Sequence, residues 1–237
     1  HDDVATAAGH GLRAYTREPW LEGERLAWRD LPAQSPAPDI VRHVAEPFAE
    51  EGGLVLLAGN LGRAILKTSA VDPAFWHIRA QARIFDSEAA VQAAYSADEL
   101  QGDLVLVVRF QGPQANGMPE LHKLMPLLAN LQQAGQRVAL VTDGRMSGAS
   151  GQVSTALHVT PEAAAGGPLA RLQDGDWLVL DAQNGLLQVE LSEQQLAARP
   201  LASASTELEL GYGLEMFAAQ RRLVGSAEQG ASSLFED

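Results

Sequence analysis

Two short stretches concentrate the side chains able to do chemistry. The first runs Gln111-Gly112-Pro113-Gln114-Ala115-Asn116-Gly117-Met118-Pro119-Glu120-Leu121-His122-Lys123. A carboxylate beside a glycine-rich loop can bind a hard cation through oxygen. Pro119 predicts a helix start, with Glu120 in the first turn, where the helix dipole favours an anion. The second stretch runs Thr142-Asp143-Gly144-Arg145-Met146-Ser147-Gly148-Ala149-Ser150-Gly151. Its glycines let backbone amides converge on an anion, Arg145 can fork onto a carboxylate or phosphate, and Ser147 or Ser150 supplies a hydroxyl. A serine acting as a base needs a cation to activate it. Each stretch also has an ordinary structural use, Glu120 as a dipole partner alone and Ser147 as a turn residue bonded to its own backbone.

Other reactive arrangements are missing from the sequence. No Gly-x-Ser-x-Gly elbow precedes a suitable order of acid and histidine, and no Gly-x-x-x-x-Gly-Lys phosphate loop occurs, which disfavours a standard hydrolase or nucleotidase. His77, His122 and His158 stand singly and read as hydrogen-bonded structure. His1 and His10, with Asp2 and Asp3, could hold a metal only adventitiously.

The elements that must position the two stretches are legible around them. Leu54 to Leu57 and Ala64 to Lys67 flank Gly59-Asn60-Leu61-Gly62 and read as two strands about a glycine turn. Asp86-Ser87 caps a helix beginning at Glu88 and finished by Gly102. Leu104 to Val108 is an uninterrupted apolar run, the pattern of a strand buried on both faces. A helix from Pro119 should end at Gly135, and Val138 to Val141 forms the next strand, so both reactive stretches sit at strand-to-loop junctions. Beyond Pro161 the pattern is all-β, with Asn184-Gly185 marking a hairpin between Trp177 to Leu180 and Leu186 to Leu191. Ser192 to Ala198 reads as a short helix stopped by Pro200, and Leu214 to Leu223 as a helix. Residues 1–40 show no sustained period and read as an extended segment laid over another surface.

Composition narrows the partners. The 237 residues carry 17 basic and 30 acidic side chains, a formal charge of −13, which argues against nucleic acid. There is no apolar run long enough to span a membrane and no secretory signal pattern at the start, so a cytoplasmic protein is expected. With 0 cysteines, the chain offers neither disulfides nor thiolate ligands for zinc or an iron-sulfur cluster.

Taken together, Gly59 to Gly62, Gln111 to Lys123, Thr142 to Gly151, His158-Val159-Thr160-Pro161-Glu162 and Gly166-Gly167-Pro168 resemble the dihydroxy-acid and phosphogluconate dehydratase family, in order and in spacing. Met146, where the branched-chain enzymes usually have Phe, and the tail from Gly211 through Ala231 look like the phosphogluconate branch. One departure is Gln152, where that branch is expected to have lysine. The resemblance implies a mixed α/β fold, a swivelling β/β/α domain with a barrel-like sheet flanked by helices over residues 41–237. It implies that residues 1–40 pack on an N-terminal domain that carries the cluster cysteines and the other metal carboxylates. Glu120 would bind the catalytic Mg2+ and Ser147 would accept the proton, at a separation of 147 − 120 = 27 residues. Asn60, Lys67, Arg145 and Gln152 are candidate substrate contacts, with Arg63 a further candidate for a phosphate.

The implied activity is that of a hydro-lyase of the Entner-Doudoroff pathway, converting 6-phospho-D-gluconate to 2-keto-3-deoxy-6-phosphogluconate and water. Ser147 would take the C2 proton while a cluster iron acts on the departing C3 hydroxyl, and the enol would tautomerise to the keto acid. This chain alone would be inactive, and the whole enzyme is expected to be a homodimer. Two other readings stand beside it: a dehydratase domain for another sugar acid or dihydroxy acid, and a non-catalytic domain binding small anions.

Overall fold

The computed structural model describes residues 4–147, 151–204 and 212–234 and divides the chain into two compact units, His1–Gly52 and Gly53–Asp237. The boundary thus falls beyond the 1–40 segment marked out by composition. The first unit is two antiparallel ribbons. A short one pairs β1 (Ala5–Thr6) with β2 (Gly9–His10), and a longer one pairs β3 (Arg17–Glu22) with β4 (Arg25–Asp30) in the register Trp20↔Ala27. Arg29 stacks 3.4 Å from the Trp20 ring centroid and pairs with Glu18. No large apolar side chain among the described residues of this unit is buried.

The second unit is a closed eight-stranded barrel in the order β10-β6-β5-β12-β11-β7-β8-β9. β5 (Leu54–Gly59) and β6 (Gly62–Lys67) form the expected hairpin, followed by β7 (His77–Phe85). Then come α1 (Glu88–Ser96), β8 (Leu104–Val108), α2 (Pro113–Asn116), α3 (Leu124–Gln133), β9 (Val138–Thr142) and β10 (Ser154–Thr160). β7, β8, β9 and β10 lie side by side in parallel. β11 (Trp177–Asp181) and β12 (Leu186–Val189) are the predicted hairpin; β11 runs antiparallel to β7, and β12 closes the wall against β5. α4 (Glu193–Ala197), α5 (Tyr212–Met216) and α6 (Ala218–Leu223) complete the chain.

The uninterrupted apolar run of β8 has a direct cause. Val105 and Val107 point into the barrel with Leu57, Leu66, Ile78 and Leu178. Leu104, Leu106 and Val108 point outward, into a second core beneath α1 and α3. Both faces are dry, so no position is free to be polar. α3 places Leu124, Leu127, Leu128 and Leu131 on that outer core, one apolar stripe at helical spacing. α1 starts where Ser87 accepts a hydrogen bond from the Ala90 amide.

Four expectations need correction. The helix predicted from Pro119 begins at Leu124, because Glu120 is held in an isolated parallel bridge with Arg145 and the chain before it turns through left-handed backbone at Gly117 and Met118. Proline does occupy a first helical turn, but in the one-turn α2, at Pro113, within what read as a loop. The stretch after Pro161 is not wholly β: two 3-10 turns, Ala163–Ala165 and Pro168–Arg171, precede the hairpin. The single helix expected over Leu214 to Leu223 is two short helices with a break at Phe217.

Candidate functional site

Parallel strands deliver their following loops to one edge of a sheet. Here β8, β9 and β10 send out residues 109–123, 143–147 and 161–167 side by side, since Val108 pairs with Thr142 and Ala156 with Val141. The first loop carries Glu120 and the second carries Ser147.

These two loops are joined directly. The Leu121 amide donates to the Arg145 carbonyl at 3.1 Å, and Arg145 Nε donates to the Met118 carbonyl at 2.8 Å. Arg145 Nη1 lies 3.5 Å from Glu120 Oε2, with both side chains partly open to solvent. Glu120 and Arg145 are therefore neighbours although the sequence separates them by a helix and a strand. Ser147 follows two residues later and is half-buried. Ser150 and the preceding Gly148 and Ala149 lie outside the described residues, as do His1, Asp2 and Asp3.

Beneath this exposed pair sit two buried carboxyl groups whose role sequence reading did not identify. Asp143, fully buried, accepts hydrogen bonds from the amides of Phe110 (3.1 Å), Gln111 (2.8 Å) and Ala163 (2.9 Å). Glu162, also buried, accepts from the amides of Gln114 (2.9 Å) and Ala115 (3.2 Å). Burial raises both carboxyl pKa values, against the lowering effect of the amides they bind. The clue available in the sequence was an acid placed between an apolar strand and a glycine, as in Val141-Thr142-Asp143-Gly144.

Close packing at these carboxyls explains two of the motif glycines. A Cβ on Gly112 would lie 2.3 Å from Glu162 Oε2, and one on Gly144 would lie 2.7 Å from Gln111 Cβ. Gln111 is itself buried, donating to the Asp86 carbonyl at 2.9 Å and accepting from Asn116 at 3.0 Å.

The remaining candidates divide between the two ends of the barrel. Asn60 stands in the β5–β6 turn near the site edge, since Arg63 pairs with Thr160 at the end of β10. Its amide donates to the carbonyls of Val189 (2.8 Å) and Leu191 (3.1 Å) and accepts from the Val189 amide (2.8 Å), fastening that turn to β12. Arg63 pairs with Glu228 of the C-terminal segment at 3.1 Å. Together with His158 and Gln229 they line a cavity of about 490 Å³.

Lys67 and Gln152 lie toward the other end. Gly151 is within reach of the Lys67 side chain, a Cβ there meeting Nζ at 3.5 Å, and the Gln152 carbonyl accepts from Gln132 near the end of α3. Ser154 is level with Ala139, four strand residues before Asp143, a distance of about 13 Å along the strand. The six candidate residues therefore do not converge on one point: Glu120, Arg145, Ser147 and Asn60 belong to one edge, and Lys67 and Gln152 to the other.

The histidines have local partners. His158 adopts φ +57°, and its amide donates to the Gly144 carbonyl at 3.0 Å. Burial, and then the nearby Arg145 charge, lower its pKa and favour the neutral ring. His122 Nδ1 is 3.3 Å from the Glu120 carbonyl, and His77 Nδ1 is 3.1 Å from Asp181 Oδ2 at the far edge.

The C-terminal segment borders the first loop. Phe217, Arg221 and Val224 share a cavity of about 230 Å³ with Pro113, Gly117 and Met118. Among the described residues no helix is long and apolar enough to cross a membrane, and no cluster of three or more metal-ligating side chains occurs.

Known proteins match this sequence over nearly the whole chain. Phosphogluconate dehydratase of Pseudomonas aeruginosa is 56% identical over 236 residues, covering 100% of this chain and 39% of the relative. The Escherichia coli K12 phosphogluconate dehydratase is 48% identical over 238 residues, covering 99% of this chain. A dihydroxy-acid dehydratase of Solidesulfovibrio magneticus is 37% identical over 235 residues. The chain spans about 39% of the length of these curated relatives. Residues 39–231 match the family described as dihydroxy-acid/6-phosphogluconate dehydratase C-terminal, and with the relatives above this establishes that the chain belongs to that family.

Proposed function

We propose that the chain is the C-terminal part of a cytoplasmic hydro-lyase that dehydrates 6-phospho-D-gluconate to 2-keto-3-deoxy-6-phosphogluconate in the Entner-Doudoroff pathway. The observation that carries this reading is the joining of the two motif loops, which sets Glu120 beside Arg145 two residues before Ser147. The identity to phosphogluconate dehydratases, higher than that to the dihydroxy-acid dehydratase, favours the phosphorylated sugar acid.

Glu120 offers a partly exposed carboxylate, a hard oxygen donor suited to Mg2+. It is one ligand and not a complete site, because the described residues hold no cluster of three such groups. A bound divalent cation supplies acidification of a hydroxyl near it. Ser147 Oγ would be the group that accepts the proton from C2. Arg145 presents a guanidinium at the same edge and would hold the substrate carboxylate. Asn60 keeps the adjoining β5–β6 turn in place. Lys67 and Gln152 would contact only a substrate reaching along the barrel wall.

An iron-sulfur cluster does not fit the residues of this chain, which contains 0 cysteines. Activation of the C3 hydroxyl is accordingly assigned to the remainder of the enzyme, on which the exposed apolar ribbon of residues 17–30 would dock. The chain alone is then folded and inactive, and the whole enzyme is a homodimer.

The test is substrate preference in the full-length protein prepared without oxygen. Dehydration of 6-phosphogluconate, with gluconate and a branched dihydroxy acid at least about 100-fold poorer, is expected if the phosphate is gripped by paired polar contacts. Equal turnover of the unphosphorylated acids would move the assignment to another sugar acid. Glu120→Gln should raise the Mg2+ concentration needed for half activity.

A further inference from the structure

The two reactive loops are fastened to each other at the surface by Arg145, but they are also fastened from beneath. Asp143 begins the second loop and takes amides from the first loop, at Phe110 and Gln111, and from the third, at Ala163. Glu162 stands on the third loop and takes amides from the first, at Gln114 and Ala115. Two carboxyl groups thus gather five backbone N–H groups, four from the first loop and one from the third, and tie the three loops together. Phe110, Gln111 and Ala163 are buried, and each of their amides would otherwise be a buried donor without a partner, which costs about 1–3 kcal/mol.

The geometry leaves little slack. Gly112 and Gly144 abut Glu162 and Gln111 so closely that a methyl group at either position forces the loops apart. Phe110, which supplies the first of these amides, holds φ +61°, and Met118, two residues before Glu120, holds φ +54°. Such backbone persists in non-glycine residues when the surroundings over-determine it. The Arg145 to Glu120 contact at the solvent edge, 3.5 Å long and half-exposed, is a weak determinant by comparison.

We propose that Asp143 and Glu162 are positioning residues for the reaction: a buried carboxyl clamp that sets the loop of Glu120 against the loop of Ser147, and so acts on the chemical step rather than on substrate binding. The assignment rests on the roles proposed above for Ser147 and Glu120. Asp143→Asn and Glu162→Gln keep the size of each side chain but replace one acceptor oxygen by an NH2 group facing amide donors.

Asp181 supplies a control. It is a buried carboxylate at the opposite edge, bonded to the Gln183 and Asn184 amides and to His77, and it touches neither loop. The experiment compares Asp143→Asn, Glu162→Gln and Asp181→Asn in the full-length protein, by steady-state kinetics and by amide hydrogen exchange. Asp143→Asn should lower kcat by about 100-fold, the scale of a 1 Å misplacement, with KM changed by less than about threefold. Protection should fall at Phe110, Gln111 and Ala163 while β11 and β12 keep theirs, and Glu162→Gln should release Gln114 and Ala115. Asp181→Asn should lose stability but keep kcat.

Equal kcat in Asp143→Asn and Asp181→Asn at matched stability would overturn the proposal. So would an exchange change confined to residues 142–144. If the wild-type protein fails to dehydrate 6-phosphogluconate, the functional reading falls; the exchange data then stand alone, and retained protection across all three loops would refute the clamp.

Discussion

The His1–Gly52 and Gly53–Asp237 units solve the burial problem in opposite ways. The second has two cores of its own, one inside the barrel and one beneath α1 and α3, and its parallel strands β8 and β9 are dry on both faces. The first presents Trp20, Leu21, Leu26 and Trp28 to solvent along a two-stranded ribbon. An isolated ribbon of that size is marginal in water, and a run of exposed aromatic and aliphatic side chains marks a surface made to be covered. Autonomy is therefore not spread evenly over the chain: the barrel has cores of its own, whereas the ribbon leaves its apolar side chains exposed, as the docking proposed above requires.

Substitutions can break or sharpen that contrast. Leu106→Ala, in the outer core, should destabilise the chain by about 2–5 kcal/mol in urea denaturation. Trp28→Ala in the full-length protein should cost about 2 kcal/mol or more in the association of this part with the rest, as a buried aromatic anchor does. The same change in the present chain alone should stay within about 0.5 kcal/mol, because Trp28 is 53% exposed here. A large loss in the chain alone would mean that the ribbon carries stability of its own. Ser87→Ala removes the cap of α1 and should cost about 1 kcal/mol.

Titration separates the units further. Burial raises Asp143 and Glu162, so the folded barrel binds their protons more tightly than the unfolded chain does. Their contribution to stability is full below the ordinary carboxylate range and is lost as pH rises through the raised values. Urea midpoints measured upward from pH 4 should show this decline in the wild-type chain and a shallower one in Glu162→Gln. His158 works in the other direction: its lowered value gives stability that is present above the ordinary histidine range and lost as pH falls through the folded value.

The same division governs what the sequence made legible. β8 and β9 could be read directly because burial on both faces leaves an unbroken apolar run. The α1 cap at Ser87 and the Asn184-Gly185 hairpin were equally plain, since their signals are local. The helix start at Pro119 was misplaced because its competitor is distant: Arg145 holds Met118 and Leu121 from 27 and 24 residues away, the latter being 145 − 121. The carboxyl clamp was hidden for the same reason, as Asp143 bonds amides 20–33 residues off and Glu162 bonds amides up to 48 residues off. Glu120, Arg145 and Ser147 are candidates drawn from their motifs, whereas the placement of Lys67 and Gln152 toward the far end requires the strand register.

In the proposed function, Ser147 is the proton acceptor of a sugar-acid dehydratase. The most direct measurement is 6-phosphogluconate dehydration by the anaerobically prepared full-length protein, wild type beside Ser147→Ala. Turnover in the wild type with a loss of about 10³-fold or more in the variant, the mutant retaining its fold and metal content, is the predicted result. Turnover unchanged by the substitution would contradict it and remove Ser147 from the mechanism.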